Sequence, residues 1–341
     1  MVDVSLILRR YGLDPSAFSV DRIGSGHIHA TYKITGQKTY VLQRVNKNVF
    51  TQPERIASNL RKASDFLRRT APNYLFPAVV LSPSGSEMEY DEEGFPWRVF
   101  PYIDNTITID AVSTPAQAAE AARGFARLTR LLDKADVAAF EPTIPRFHDL
   151  ALRKTQFEEA LAGAGMRVQA AAAAIRSITG YFPLVDEYKQ LVESGALRER
   201  IVHNDTKINN VLFDRVTGKT VAVIDLDTLM PGYFIYDLGD MVRTFVSPVS
   251  EEESDLSKVE FRKDIYDALV EGYLSEMGPV MTPQETRSIP FAGKMMTYIM
   301  ALRFLADYLR GNTYYHITYP EQNLVRASNQ LKLLDALSKN L

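Results

Sequence analysis

Between Ile201 and Asp214 the sequence reads IVHNDTKINNVLFD, which sets His203, Asp205, Lys207 and Asn210 in the order H-x-D-x-K-x-x-N. Apolar residues flank this polar gap, so Ile201-Val202 and Val211-Leu212-Phe213 read as strands and the residues between them as one tight loop. Phosphoryl transfer needs such parts. A carboxylate accepts or orients the proton of an attacking hydroxyl, while an amide oxygen and a second carboxylate hold magnesium against nucleotide phosphates. Asp205 suits the first role and Asn210 the second, and VAVIDLDTLMPG brings Asp225 from the end of a neighbouring strand as the other metal ligand. Lys207 can neutralise charge that develops on the transferred group. Each piece alone has a plainer reading: the H-x-D pair as a loop hydrogen bond, Asn209-Asn210 as a turn, Asp225 and Asp227 as solvated acids at a strand end. The combination in this order is far more specific.

The elements that must position these residues divide along the chain. FSVDRIGSGHIHATYKIT and KTYVLQRVN alternate β-branched and aromatic residues around Gly24 and Gly26, as hairpin strands do. PERIASNLRKASDFLRRT has helical spacing, with Ile56, Leu60, Ala63 and Leu67 on one face, and FPAVVLS and PWRVFPYI follow as strands. After PYIDNT the pattern turns to long helices, the first capped by Thr114 with Pro115 in its first turn. The alanine-rich MRVQAAAAAIRSITGYF reads as a helix by propensity alone. In SPVSEEESDL, Ser250 and Glu253 form a capping box that predicts a helix start, which makes an acidic metal patch there improbable. The expectation is an α+β chain of two lobes, residues 1–100 rich in strands and 101–341 helical, with a hinge near Val99 to Asn105.

Composition narrows the partners. A chain of 341 residues exceeds the usual single core, and 46% hydrophobic with 24% charged residues is ordinary for a globular protein. The formal charge of −3 gives no general pull toward nucleic acid or anionic membranes, so any anion must be held by a local site. No cysteine is present, which excludes disulfides and thiolate chemistry. The N-terminal apolar patch is interrupted by Arg9 and Arg10 and lacks a cleavage pattern, and no apolar run reaches the ~18 residues of a membrane span. A cytoplasmic, monomeric protein is expected.

The motif set HNDTKINNVLFD and VIDLDTLMPG, following a β-rich segment with a glycine turn, resembles the aminoglycoside phosphotransferase and protein-kinase-like superfamily. With IGSGHIHATYKI, YVLQRVN, WRVFPYI, VIDLDTLMPGYFIYDLGDMVR and RFLADYLRGNTYYHITYPEQNLVRASNQL added, the chain is similar to the N-acetylhexosamine 1-kinase branch from Ile23 to Leu331. That resemblance implies ATP and magnesium as cofactors and a small sugar acceptor. It implies a catalytic role for Asp205 and magnesium ligation by Asn210 and Asp225. Gly24, Ser25 and Gly26 would cover the ATP phosphates with backbone N–H groups. Phe100 to Ile103, with Phe100 and Tyr102 as the named contacts, would form a hinge offering backbone hydrogen bonds to adenine, and Asp237 would brace the catalytic loop. One departure stands out. Where related kinases carry a cation aimed at the phosphates, this chain has Gln43, while Arg44 should point to the opposite face. Lys207 and magnesium are then the leading sources of compensating charge.

On the acceptor side, ALRFLADYLRGNTYYHITYP sets Arg303 and Asp307 four residues apart on a helix, which reads either as an i,i+4 salt bridge or as a sugar-binding arginine. Tyr315 and His29 are the further acceptor residues, with packing and a loop hydrogen bond as their respective alternatives. Other readings remain: a different hydroxylated acceptor such as another sugar, an aminoglycoside or an amino alcohol, or a nucleotide-binding pseudokinase, which only Gln43 favours.

Overall fold

Alternating β-branched and aromatic residues in the N-terminal third form one antiparallel sheet in the computed structural model, which describes residues 4–23 and 29–341. After helix α1 (Val4–Arg10), strands β1 (Ser19–Arg22), β2 (Ala30–Thr35), β3 (Thr39–Arg44), β4 (Glu89–Tyr90) and β5 (Pro96–Pro101) pair in the order β1-β2-β3-β5-β4. The expected turn of Gly24, Ser25 and Gly26 lies outside the described residues. The strands on either side of it pair as a hairpin, Ser19 opposite Thr35 and Arg22 opposite Tyr32. FPAVVLS, expected as a strand, gives a single bridge between Val80 and Val99, because Pro77 and Pro83 bring no N–H to a ladder. Alternation sorts β5: Trp97 and Val99 enter a small core with Ile7, Leu8, Tyr11, Ile34 and Leu42, while Arg98 and Phe100 take the opposite face.

Helix α2 (Pro53–Thr70) buries Ile56, Leu60, Ala63 and Leu67, the face its spacing predicts. That face joins the larger core with α3 (Pro115–Leu132), so α2 packs with the helical body despite its early position. Thr114 caps α3 by accepting the Gln117 N–H, and Pro115 occupies the first turn.

The helical body continues through α4 (Leu150–Gly163), α5 (Arg167–Ala170), α6 (Ala172–Gly180) and α7 (Pro183–Glu193). The alanine-rich segment thus forms two short helices instead of one. Two small sheets are set among the helices. In one, β8 (Val211–Asp214) lies between β6 (Thr106–Ile107) and β9 (Thr220–Val223); in the other, β7 (Arg200–Val202) pairs with β10 (Met230–Gly232). The polar loop from His203 to Asn210 therefore crosses from one sheet to the other. Behind it stand α8 (Phe234–Phe245), α9 (Lys263–Met277), α10 (Pro283–Arg287), α11 (Ile289–Leu309) and α12 (Gln322–Asn340). No described helix is long and apolar enough to cross a membrane.

No helix starts at Ser250. Glu253 N–H donates to the Ser250 carbonyl in a turn, and Glu251 and Glu252 pair with Arg243 and Arg326, so side-chain pairing replaces the expected capping box.

Helices α3 and α9 approach so closely that only glycine fits at their crossing. A Cβ on Gly272 would overlap the Ala119 carbonyl oxygen and lie 2.7 Å from its Cα. Gly272→Ala gains about 1 kcal/mol of helix propensity but forces backbone apart in a packed core, which costs about 1–3 kcal/mol. Denaturant unfolding should therefore show net destabilisation. An unchanged or higher midpoint would show that the crossing relaxes freely.

Candidate active site

Buried backbone N–H groups require acceptors, and a polar loop inside a core must find them on neighbouring side chains. Asp237 on α8 accepts from His203 N (3.0 Å) and Asn204 N (2.7 Å), and Asp240 accepts from Thr206 N (2.9 Å). Asn204 is left-handed at φ 67°, and its Nδ2 donates to the carbonyls of Val202 and Thr228. His203 Nδ1 accepts the Asp205 N–H at 3.2 Å, so its proton sits on Nε2, which donates to the Ile224 carbonyl at 2.9 Å. His203 is thereby a brace of the loop and not a free base.

Four predicted residues come together on this scaffold. Lys207 Nζ is 3.3 Å from Asp205 Oδ1, and Asn210 Nδ2 donates to the Asp205 carbonyl at 2.9 Å. Burial raises the Asp205 carboxyl, but Lys207 and His203 outweigh it and hold the group below the ordinary aspartate value; Asp205 in turn holds the Lys207 ammonium above its own. The carboxylate is thus ionised and can accept a hydroxyl proton. Nδ2 of Asn210 is engaged by Asp205, and its Oδ1 has no hydrogen-bond partner among the described residues. Asp225 follows β9 in a left-handed conformation, φ 57° and ψ 54°, with its side chain exposed. An amide oxygen and a free carboxylate suit magnesium, a hard cation that prefers oxygen ligands. Ligand atoms of His29, Asp225 and Asp227 lie within 4.8 Å of one another. His29 and Asp227 face each other, however, which leaves Asp225 as the free member.

Asp227 is not a solvated acid. It is buried, with Arg98 Nη2 2.5 Å from one oxygen and His29 Nε2 2.8 Å from the other. Burial would raise its carboxyl, but Arg98 and His29 hold it down at about 2. His29 Nδ1 accepts the Asn46 N–H at 3.1 Å and its ring stacks on Phe50. With both nitrogens engaged it has no group left for a sugar, which corrects the expected acceptor contact. Gln43 is corrected too: its Nε2 donates to Thr31 Oγ1, and its Oε1 accepts from Arg98 Nε (3.0 Å) and Nη2 (2.7 Å). It orients a cation instead of facing phosphate itself. Arg98, opposite Gln43 in the β3–β5 register, was missed by sequence reading, and its Nη1 is buried without a partner among the described residues. The signal lay in WRVF, where a charge alternates with core residues. Arg44 turns to the other face as expected, pairing with Asp91 and Glu93.

The hinge is narrower than predicted. Phe100 pairs with Val41 in the ladder, and the Tyr102 N–H donates to the Thr39 carbonyl at 3.1 Å, so it is not available to a base. Alternation along the antiparallel ladder directs the Pro101 carbonyl away from β3.

Arg303 and Asp307 do not pair. Asp307 accepts the backbone N–H groups of Thr313, Tyr314 and Tyr315 and the Asn323 amide, fixing the turn after α11. Arg303 is left over the rings of Phe147 (5.3 Å), Tyr314 (5.8 Å) and Tyr315 (5.4 Å), with Met300 Sδ as its one hydrogen-bond acceptor among the described residues. The Tyr315 hydroxyl is buried without a partner among the described residues. The wall continues to His148, whose Nε2 lies 2.9 Å from the Asn204 carbonyl and so ties this region to the catalytic loop.

Burial, then the charges of Arg303 and Arg153, outweighs the Asn204 contact and lowers His148 from 6.5 to about 4. A proton therefore binds the unfolded chain more tightly. Stability from neutral His148 is complete above pH 6.5, is lost as pH falls toward 4, and changes no further below. The loss should reach roughly 3 kcal/mol. His148→Gln keeps a donor for Asn204 and removes the titration, so its stability should fall less than that of the parent between pH 7 and pH 4.5. Parallel acid limbs in urea unfolding would contradict this.

The model of the phosphotransferase enzyme family matches residues 19–273, well over half the chain. Among solved structures, a microcompartment-associated aminopropanol kinase is similar at 17% identity and TM-score 0.64, over 98% of this chain and 96% of that one. An amicoumacin kinase in complex with AMP-PNP and Ca2+ is similar at 15% identity and TM-score 0.61, over 98% and 93%. A choline/ethanolamine kinase family protein from Mesorhizobium loti matches at 16% identity and TM-score 0.60, over 98% and 95%. These identities speak for the fold, a strand-rich lobe joined to a helical one. With that kinase-like α+β fold and the family match across its catalytic loop, the chain belongs to the phosphotransferase enzyme family.

Proposed function

We propose that the protein transfers the γ-phosphoryl group of ATP to the anomeric C1 hydroxyl of an N-acetylhexosamine. Asp205 accepts the hydroxyl proton as the sugar oxygen bonds to phosphorus and the bond to the leaving ADP breaks. Asn210 and Asp225 would hold magnesium, which would offset the phosphate charge. The backbone from Phe100 to Ile103 would meet adenine, and Arg98, paired with Asp227 and held by Gln43, would bring a guanidinium to the face of Gln43. Arg98 on the same face as Gln43 supports a working kinase over a pseudokinase, although its guanidinium is paired with Asp227.

The observation that carries the acceptor reading is the unpaired Arg303 among three aromatic rings, beside the unpartnered Tyr315 hydroxyl. Aromatic faces cover a sugar ring, while a free guanidinium and a hydroxyl suit its oxygens and an acetamido carbonyl. A second reading, an amino alcohol as acceptor, draws support from the aminopropanol and choline/ethanolamine kinases that share the fold.

Incubation with ATP, magnesium and N-acetylglucosamine or N-acetylgalactosamine should release ADP and consume the reducing end. Phosphorus–proton NMR should show coupling to the anomeric proton; coupling at position 6 would refute the assignment. Asp205→Asn keeps the shape of the loop and removes its base, so turnover should fall roughly a hundred- to ten-thousand-fold with nucleotide affinity little changed. Near-parental turnover would remove Asp205 from the mechanism.

A further inference from the structure

We propose that Arg153 and Arg303 act together as a cationic discriminator, which bars acceptors bearing an ammonium group and admits neutral acceptors that present a carbonyl oxygen. This rests on the phosphotransfer reading above and goes on to name the acceptor class. Arg153 on α4 donates through Nη1 to Gln156 Oε1 (2.8 Å) and through Nη2 to the Phe147 carbonyl (2.7 Å), while its Nε is buried without a partner among the described residues. Arg303 lies over the ring of that same Phe147, so one residue joins the two guanidinium groups. Neither arginine has a carboxylate within salt-bridge distance among the described residues.

The acids that might have answered them are engaged elsewhere. Asp307 holds the turn at Tyr314 and Tyr315, and Asp149 caps α4 and pairs with Arg146. Asp240 and Glu251 share Arg243, and Lys207 offsets the catalytic Asp205. Burial and then the Arg303 charge lower Arg153 to about 10. An ammonium group entering here meets like charge from two sides. A carbonyl oxygen meets the half-buried Arg303 guanidinium, whose one acceptor among the described residues is Met300 Sδ.

The test compares acceptors that differ at one position, an ammonium group in one and a neutral group in the other. N-acetylglucosamine should exceed glucosamine in kcat/KM by roughly a hundredfold at neutral pH. Arg153→Gln and Arg303→Gln should each narrow that ratio by about tenfold or more, mainly through a lower KM for the amine, with the KM for ATP unmoved. Arg153→Lys retains the charge and should retain the ratio, which separates charge from packing. Comparable turnover of glucosamine by the parent, or a ratio unmoved in both glutamine variants, would overturn the proposal. If neither sugar reacts, 1-amino-2-propanol and propane-1,2-diol decide it. Preference for the diol keeps the discriminator and removes only the hexosamine reading, whereas preference for the amino alcohol removes both.

Discussion

The arrangement depends on one buried carboxylate. Asp227 draws Arg98 from the central part of the N-terminal sheet and His29 from just after the glycine segment, and it stands two residues beyond Asp225. Removing one partner of such a buried ion pair leaves a charge without compensation, at a typical cost of about 3–5 kcal/mol. The contact therefore does more than add stability. It fixes the sheet that would carry the nucleotide against the strand that would present the metal ligand. Through His29 and the Asn46 N–H it also fixes the chain that follows β3.

The catalytic loop is held by the same principle applied to backbone. Asp237 and Asp240, one turn apart on α8, accept from the N–H groups of His203, Asn204 and Thr206, and the Thr228 hydroxyl donates to the His203 carbonyl. With the backbone so satisfied, the functional ends of Asp205, Lys207 and Asn210 are left to project from a rigid support. Preorganisation of this kind is what electrostatic catalysis requires, because groups already in place need no rearrangement during reaction.

What the sequence revealed was what local spacing controls. The loop between two apolar runs, the buried face of α2, the cap at Thr114 and the opposite faces of Gln43 and Arg44 all follow from periods of 3.6 or 2 and from cap chemistry. What it hid depends on partners far away in the chain. Arg98 meets Gln43 only through the register of β3 on β5, and Asp227 is buried only because both lobes close over it. The i,i+4 spacing of Arg303 and Asp307 permitted a salt bridge, but three unpaired N–H groups in the turn after α11 offered the carboxylate more than a half-exposed pair would. At Ser250, two arginines on other helices drew away the glutamates that would have begun a helix.

The left-handed backbone of Asp225 bears on how this site can change by mutation. Asparagine, aspartate and glycine are the residues that most readily adopt such a conformation. The first two keep a side-chain oxygen at the position proposed for the metal, and the third deletes it without strain. Backbone geometry thus screens substitutions before selection on activity acts, and it admits two kinds of descendant: those that still coordinate and those that have lost coordination cleanly while keeping the fold. A lineage could pass from catalyst to stable nucleotide binder through glycine at this position without crossing a barrier in folding.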